Sequence, residues 1–256
     1  RPSVSALKVT VGLRSVLIFV SLRYIVPKNL LKEGCMGMVF AVANQKGGVG
    51  KTMITLNLAG AYAHDDPSAR VLVVDADSQN TSMRSSGVGE EPYPFVVTNM
   101  AAAGKGLGRE IGRMAQDYDL VLVDCPPSVD NPNTENVLQV ANFVLIPMDA
   151  SPSDAWSTQG MIQLVRRVIG PDPKRCGIVF NKVNTKRASY RDVSEVISEG
   201  SPYPVLKSVI SLREVYKTAI GFGATVFSVK GQATKPARQE ITNVAMEMLG
   251  IMGISE

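Results

Sequence analysis

Val39-Phe40-Ala41-Val42-Ala43-Asn44-Gln45-Lys46-Gly47-Gly48-Val49-Gly50-Lys51-Thr52 is an apolar run that turns through glycines into a helical stretch. The run Val39–Ala43 reads as a buried strand. Glycines allow successive backbone N–H groups to turn inward around an anion. A helix that starts at the turn adds its partial positive charge. The second half fits the phosphate-loop pattern G-x-x-x-x-G-K-[ST], with Gly50-Lys51-Thr52 in place. No glycine fills the first position of that pattern, where Asn44-Gln45 stand, so the loop is a deviant form with Lys46-Gly47-Gly48-Val49-Gly50-Lys51-Thr52 as its core. In this chemistry Lys51 reaches the β- and γ-phosphates of a nucleotide and the Thr52 hydroxyl ligates Mg²⁺.

Outward from the loop, short apolar runs alternate with helical stretches. The pattern predicts strands at Val39–Asn44, Val71–Asp75, Leu120–Asp124, Phe143–Pro147, Gly177–Asn181 and Val205–Val209. It predicts helices at Lys51–Ala63, Ser153–Ile169, Arg191–Glu199, Leu212–Gly221 and Lys235–Leu249. Strand–helix alternation at this spacing argues for βαβ units. The expected fold is α/β, a doubly wound and mostly parallel sheet of the P-loop NTPase kind. Val71–Val74 and Leu120–Val123 are unbroken apolar runs, as strands covered on both faces require. Residues 84–110, rich in Gly and Ala, are the least regular stretch.

Carboxylates follow at strand ends. Asp75 and Asp77 lie in Asp75-Ala76-Asp77-Ser78-Gln79, and Asp124 lies in Val123-Asp124-Cys125-Pro126-Pro127. In a doubly wound sheet the strand C-termini converge on one ligand crevice. Three carboxylates there repel unless a cation is bound, and Mg²⁺ held between phosphates and carboxylates resolves the conflict. Asp75 reads almost equally well as a helix cap.

These motifs resemble the deviant Walker A, switch I and Walker B/switch II motifs of ParA/MinD-type ATPases. The similarity runs from about residue 38 to the C-terminus and includes Pro147-Met148-Asp149-Ala150-Ser151-Pro152-Ser153-Asp154 and Arg213-Glu214-Val215-Tyr216. It looks closest to the small ParF-like ParA proteins that partition plasmids. The resemblance implies a nucleotide site of Gly47, Gly48, Val49, Gly50, Lys51 and Thr52, with Asn181 near the base. It makes Lys46 the signature lysine that reaches across an ATP-dependent homodimer. Asp77 orients or polarises the attacking water, Asp124 holds Mg²⁺ through water, and ATP and Mg²⁺ are the implied cofactors. A second cation beside the loop also suits the charge that develops in phosphoryl transfer. Two departures stand out: Met53 where many relatives carry Thr, and Ser78 where Pro is common.

The net charge of +4 is unevenly spread. Residues 1–37 hold six Lys/Arg and one Glu; residues 38–256 hold 21 Lys/Arg and 22 Asp/Glu. The first 37 residues are a basic, apolar leader that reads as a targeting segment, a surface-lying helix or, the favoured reading because no Ala-x-Ala-like cleavage signal follows, non-native or poorly ordered sequence. Residues 38–256 read as the ATPase domain. A start at Met36 or Met38 opens the domain on its first strand. Within the domain, residues 38–150 are acidic on balance and 151–256 basic, and residues 174–238 carry twelve Lys/Arg against four acids. In the resembled family this C-terminal region binds DNA without sequence preference, by salt-dependent phosphate contacts. The implied contacts are Lys182, Lys186, Arg187, Arg191, Arg213 and Lys217, with Arg213 and Lys217 expected on one helix face at i, i+4. The implied partners are DNA and a ParB-like or small adaptor protein, in a cytoplasmic, nucleoid-associated setting.

Other classes fit less well. Cys35, Cys125 and Cys176 form no CxxC pair and His64 is the only histidine, which argues against a metal-cluster ATPase. Ile241, Val244, Met248 and Leu249 make an apolar stripe, yet Glu240 and Glu247 accompany it where a membrane-surface helix wants Lys/Arg. The stripe is expected in the core, and stable membrane association is not expected. Two readings stand beside plasmid or chromosome segregation. One is a ParA-like positioning ATPase for a protein cargo such as a carboxysome or chemotaxis cluster. The other is a nucleotide-switched assembly protein with negligible turnover.

Overall fold

The computed structural model describes residues 36–89, 91–184 and 189–254. Six strands form one sheet: β1 (Met38–Val42), β2 (Val71–Asp75), β3 (Val96–Asn99), β4 (Leu120–Asp124), β5 (Phe143–Asp149) and β6 (Cys176–Asn181). Their order is β3-β2-β4-β1-β5-β6, and every pairing is parallel. β2, β4 and β6 are buried at every position, which matches their continuous apolar runs. The register sets Asp75 beside Asp124 and Asp124 beside Val42. The last residues of three neighbouring strands therefore open into one crevice.

Helices cover both faces. α1 (Lys51–Asp65), α7 (Glu214–Gly221) and α8 (Thr234–Met252) pack on one side. α3 (Leu107–Met114), α4 (Pro132–Val140), α5 (Pro152–Ile169) and α6 (Ser189–Gly200) lie on the other. The stripe of Ile241, Val244, Met248 and Leu249 is buried against the sheet. Burying each such side chain contributes about 1.5–3 kcal/mol relative to leaving it in water. Among the described residues no helix is long and apolar enough to cross a membrane.

Local chemistry sets the helix starts. Asn131 and Ser151 are N-caps whose side chains accept from the backbone N–H groups of Asn133 and Asp154, and each is followed by a proline at the first helical position. β5 tolerates Pro147 because its pairing with β1 ends at Leu145. On that side Asn44 Nδ2 donates to the Pro147 carbonyl instead, at 2.7 Å.

Two expectations need correction. Residues 84–110 hold a strand, β3, a 3₁₀ turn at Ala101–Gly106 and the start of α3. β3 is a half-exposed edge strand, so it lacks the unbroken burial that marks its neighbours. The helix α4 follows the Pro126-Pro127 turn and is too short and mixed to show a clear period. Val205–Val209 is not a full strand. It touches β6 at one isolated bridge, Ile178 with Val205, and a second bridge just beyond both segments joins Val183 to Ser211. Between them the Lys207 and Ser208 N–H groups donate to the Glu247 carboxylate, at 2.7 and 2.8 Å, rather than to a neighbouring strand. Residues 1–35 lie outside the described residues, while Gly37 N–H donates to the Ala115 carbonyl at 2.6 Å and so is tied to the domain.

Candidate functional site

The glycine-rich loop joins β1 to α1 at the crevice. Gly48 and Gly50 have φ of +75° and +96°, where a side chain is strained. A Cβ at Gly47 or Gly48 would meet nothing within 4 Å, so the loop faces open space. A Cβ at Gly50 would run into the Asn181 side chain. Asn181, buried at the end of β6, donates from Nδ2 to the Val49 carbonyl at 2.7 Å. It thus braces the loop from behind.

Lys51 opens α1 and is buried, and its Nζ donates to the Lys46 carbonyl at 3.0 Å. Burial pulls its ammonium below the usual lysine range, opposed by the charges of Asp124 and Asp77. Thr52 Oγ1 donates to Asp124 Oδ2 at 2.6 Å. Burial pushes the Asp124 carboxyl up to about 7; the Asp75 charge adds to this, while hydrogen bonds from Thr52 and Ser82 and the charge of Lys51 oppose it. A buried carboxylate with an elevated pKa and a hydroxyl beside it gains from a nearby cation. The donors present are hard oxygens, which suit Mg²⁺. Among the described residues no three His, Cys, Asp or Glu side chains gather into a metal cage. A cation held here would take its remaining ligands from phosphates and water, as Mg²⁺ commonly does.

Asp75 and Asp77 have separate tasks. The Asp75 carboxylate accepts from the N–H groups of Asp77 and Met83, both at 3.1 Å, and so clamps the turn after β2. Asp77 is half-buried at the crevice, and its carboxylate accepts from the Gln79 N–H at 3.1 Å. Lys46 forms an ion pair with the buried Asp154 at the start of α5.

Two basic residues expected at a DNA surface are committed internally. Lys182 Nζ donates to the Gly48 carbonyl and lies 3.7 Å from Asp149, because it directly follows Asn181 beside the glycine loop. Arg213 does not share a helix face with Lys217. It precedes α7, and its guanidinium binds Glu240 of α8 through contacts of 2.8 to 3.2 Å. Lys217 is exposed beside Glu214. Lys186 and Arg187 lie outside the described residues, as does the Arg191 side chain.

Residues that no motif singled out complete the site. Ser82, buried in the short helix α2 (Thr81–Ser86), donates to the same Asp124 oxygen as Thr52 does, at 2.9 Å. Asn133 of α4 donates to the carbonyls of Ala76 and Ala101 at 3.3 and 2.7 Å, linking α4 to the turn that carries Asp77. A serine in a polar run carries no signal of its own. Only the fold of the turn brings it to Asp124.

The fold and the loop define a P-loop nucleotide-binding α/β domain. The chain belongs to the CobQ/CobB/MinD/ParA nucleotide binding domain family, whose model matches residues 40–226. It is 30% identical to the maintenance of carboxysome distribution protein A of Halothiobacillus neapolitanus, over 82% of this chain and 95% of that protein. It is 26% identical to the chromosome partitioning protein ParA of Caulobacter vibrioides, over 73% and 85% of the two chains. In fold it is similar to apo McdA from Cyanothece, with a TM-score of 0.68 at 17% identity over 83% and 99% of the chains.

Proposed function

We propose that this chain is a ParA-type positioning ATPase that hydrolyses ATP slowly and works as an ATP-dependent dimer. The arrangement that carries the reading is the hydroxyl–carboxylate pair of Thr52 and Asp124, 2.6 Å apart, beside a lysine and an open glycine cradle. In this reading the loop N–H groups of Gly47–Gly50 and Lys51 hold the phosphates of ATP. Thr52 and Asp124 hold Mg²⁺, Asp124 through water. The cation supplies charge neutralisation to the phosphates. Asp77 stands at the crevice mouth to orient the attacking water, and Lys46 leaves Asp154 to reach the phosphates of a second copy.

The partners follow from the same reading. DNA, bound without sequence preference, is the track, and an adaptor protein stimulates hydrolysis and release. The match to a carboxysome distribution protein favours a protein assembly as cargo. The match to a chromosome partitioning protein supports segregation of a plasmid or chromosome as the second reading. The deciding experiment is DNA co-sedimentation with ATP, ADP or no nucleotide across a salt series. The expected result is pelleting with ATP alone that falls steeply as salt rises. Equal pelleting with ADP, or none in any state, overturns the DNA-track reading. Phosphate release with DNA and adaptor present separates an ATPase from an assembly switch with negligible turnover.

A further inference from the structure

We propose that Ser82 is a positioning residue and that α2 acts as a lever between Asp124 and α7. The inference rests on the reading of the crevice as an ATP–Mg²⁺ site.

α2 is six residues long, about 9 Å. A helix that short has little stability of its own, so its contacts decide where it sits. It is tied at both ends. At the site end, Ser82 Oγ donates to Asp124 Oδ2 at 2.9 Å, and Met83 N–H donates to Asp75 Oδ2 at 3.1 Å. At the far end, Ser85 Oγ donates to the Ile220 carbonyl of α7 at 2.8 Å and lies 2.8 Å from the Tyr93 hydroxyl. Just beyond, Gly89 packs on the backbone that ends α7: a Cβ there would lie 2.8 Å from the Gly223 carbonyl oxygen and 3.2 Å from that of Phe222. Gly223 itself has a φ of +65°. Asn80, at φ +56°, precedes the helix as its N-cap and makes no side-chain capping bond to it.

One oxygen of Asp124 takes two hydroxyl donors, from Thr52 and Ser82. A hydrated cation held between the phosphates and Asp124 would bring water protons that compete with Thr52 and Ser82 for the Asp124 carboxylate as acceptor. Thr52 sits on the 15-residue helix α1, whereas Ser82 sits on a helix of six residues, which has less stability of its own. The Ser82 bond is therefore the one that rearranges. Because α2 is fastened to α7 through Ser85 and Gly89, that rearrangement is carried to α7, which holds exposed Lys217 and ends beside exposed Phe222. The coupling needs an element with two placements that both sites bias, and α2 has the size and the fastenings for it.

The test is hydrogen–deuterium exchange on the full chain, with and without a non-hydrolysable ATP analogue and Mg²⁺, following peptides 46–53, 81–89 and 214–223. In the native sequence all three peptides are expected to change. In Ser82→Ala, peptide 46–53 should still respond and 214–223 should not. Ser85→Ala cuts the hydrogen-bonded part of the far tie and leaves the Gly89 packing, so 81–89 should respond in full while the response of 214–223 shrinks. This second variant keeps the test decisive if Ser82→Ala folds poorly. An unchanged response of 214–223 in both variants overturns the lever. So does protection of 46–53 in the native sequence with no change at 214–223. No response at 46–53 in the native sequence overturns the nucleotide reading and the lever with it.

Discussion

At the C-terminal ends of β1, β2 and β4, Asp75 and Lys46 find internal partners, but among the described residues Lys51 and Asp124 form no ion pair. Lys51 finds a carbonyl, and Asp124 finds two hydroxyls. Along residues 174–238 the pattern reverses. Arg213 is bound by Glu240, which also takes the Ser211 N–H and hydroxyl and the Tyr216 hydroxyl. Glu247, on the same helix, holds the Lys207 and Ser208 N–H groups. The first region is left to be completed from outside, whereas part of the second is already complete. A count of basic residues in sequence therefore overstates the charge offered to a partner, because acids more distant in sequence fold back onto it.

The comparison can be broken at several points, beginning with the largest expected effect. Lys51→Ala removes the cation of the phosphate loop, and calorimetry with ATP–Mg²⁺ should show binding weakened by about 100-fold or more, a loss of roughly 3 kcal/mol for a charged hydrogen bond in a buried site. Retained affinity would contradict the role of the lysine. Asp77→Ala should leave ATP binding nearly intact while phosphate release falls at least about tenfold, since positioned acid–base groups contribute on the order of 10²–10⁴ in rate. The trapped ATP dimer should then stay on DNA in the co-sedimentation assay.

The compensated region answers to stability rather than to ligand. Glu240→Ala leaves the Arg213 guanidinium, Ser211 and Tyr216 without their acceptor and should cost about 1–3 kcal/mol in urea denaturation. Burial raises the Glu240 carboxyl, but the hydrogen bonds from Arg213, Ser211 and Tyr216 outweigh that and hold it below the usual carboxylate range. A carboxyl whose folded pKa is depressed contributes stability above its unfolded pKa and loses it as pH falls through the folded one. Acid denaturation of the native sequence should therefore include a component below about pH 4.5 that Glu240→Gln lacks. Asp124 has the opposite sign. Its folded pKa is raised to about 7, so the metal-free protein should lose stability as pH rises from about 4 through 7. Mg²⁺ with nucleotide should restore it, which thermal melts at pH 6 and 8 can measure.

The smallest effect separates the two kinds of basic residue. Lys217→Ala should lower the slope of log affinity for DNA against log salt by about 0.9, the loss of one phosphate contact. Arg213→Ala should change stability more than that slope. If Arg213→Ala instead moves the slope as much as Lys217→Ala, the Glu240 pair is not what holds the arginine in solution.

Much of the crevice was legible before folding. A glycine run between an apolar strand and a helix, with aspartates at later strand ends, places Lys51, Thr52, Asp77 and Asp124 by local chemistry and parallel-sheet topology alone. β3 was missed because this edge strand is partly exposed along its whole length and has no continuous apolar run. Asp75 stood between ligand and cap, and the structure gives it the turn: its oxygens are spent on two N–H groups.

Local order thus determined the sheet, its nucleotide-type loop and the polarity of charge between the two halves, since those depend on near neighbours and on hydrophobic period. Tertiary structure alone decided how the charges are spent. Lys46 meets Asp154, Arg213 meets Glu240 and Ser82 meets Asp124 across separations of 108, 27 and 42 residues. No local pattern encodes such meetings, because each depends on which strand ends and helices the chain brings together.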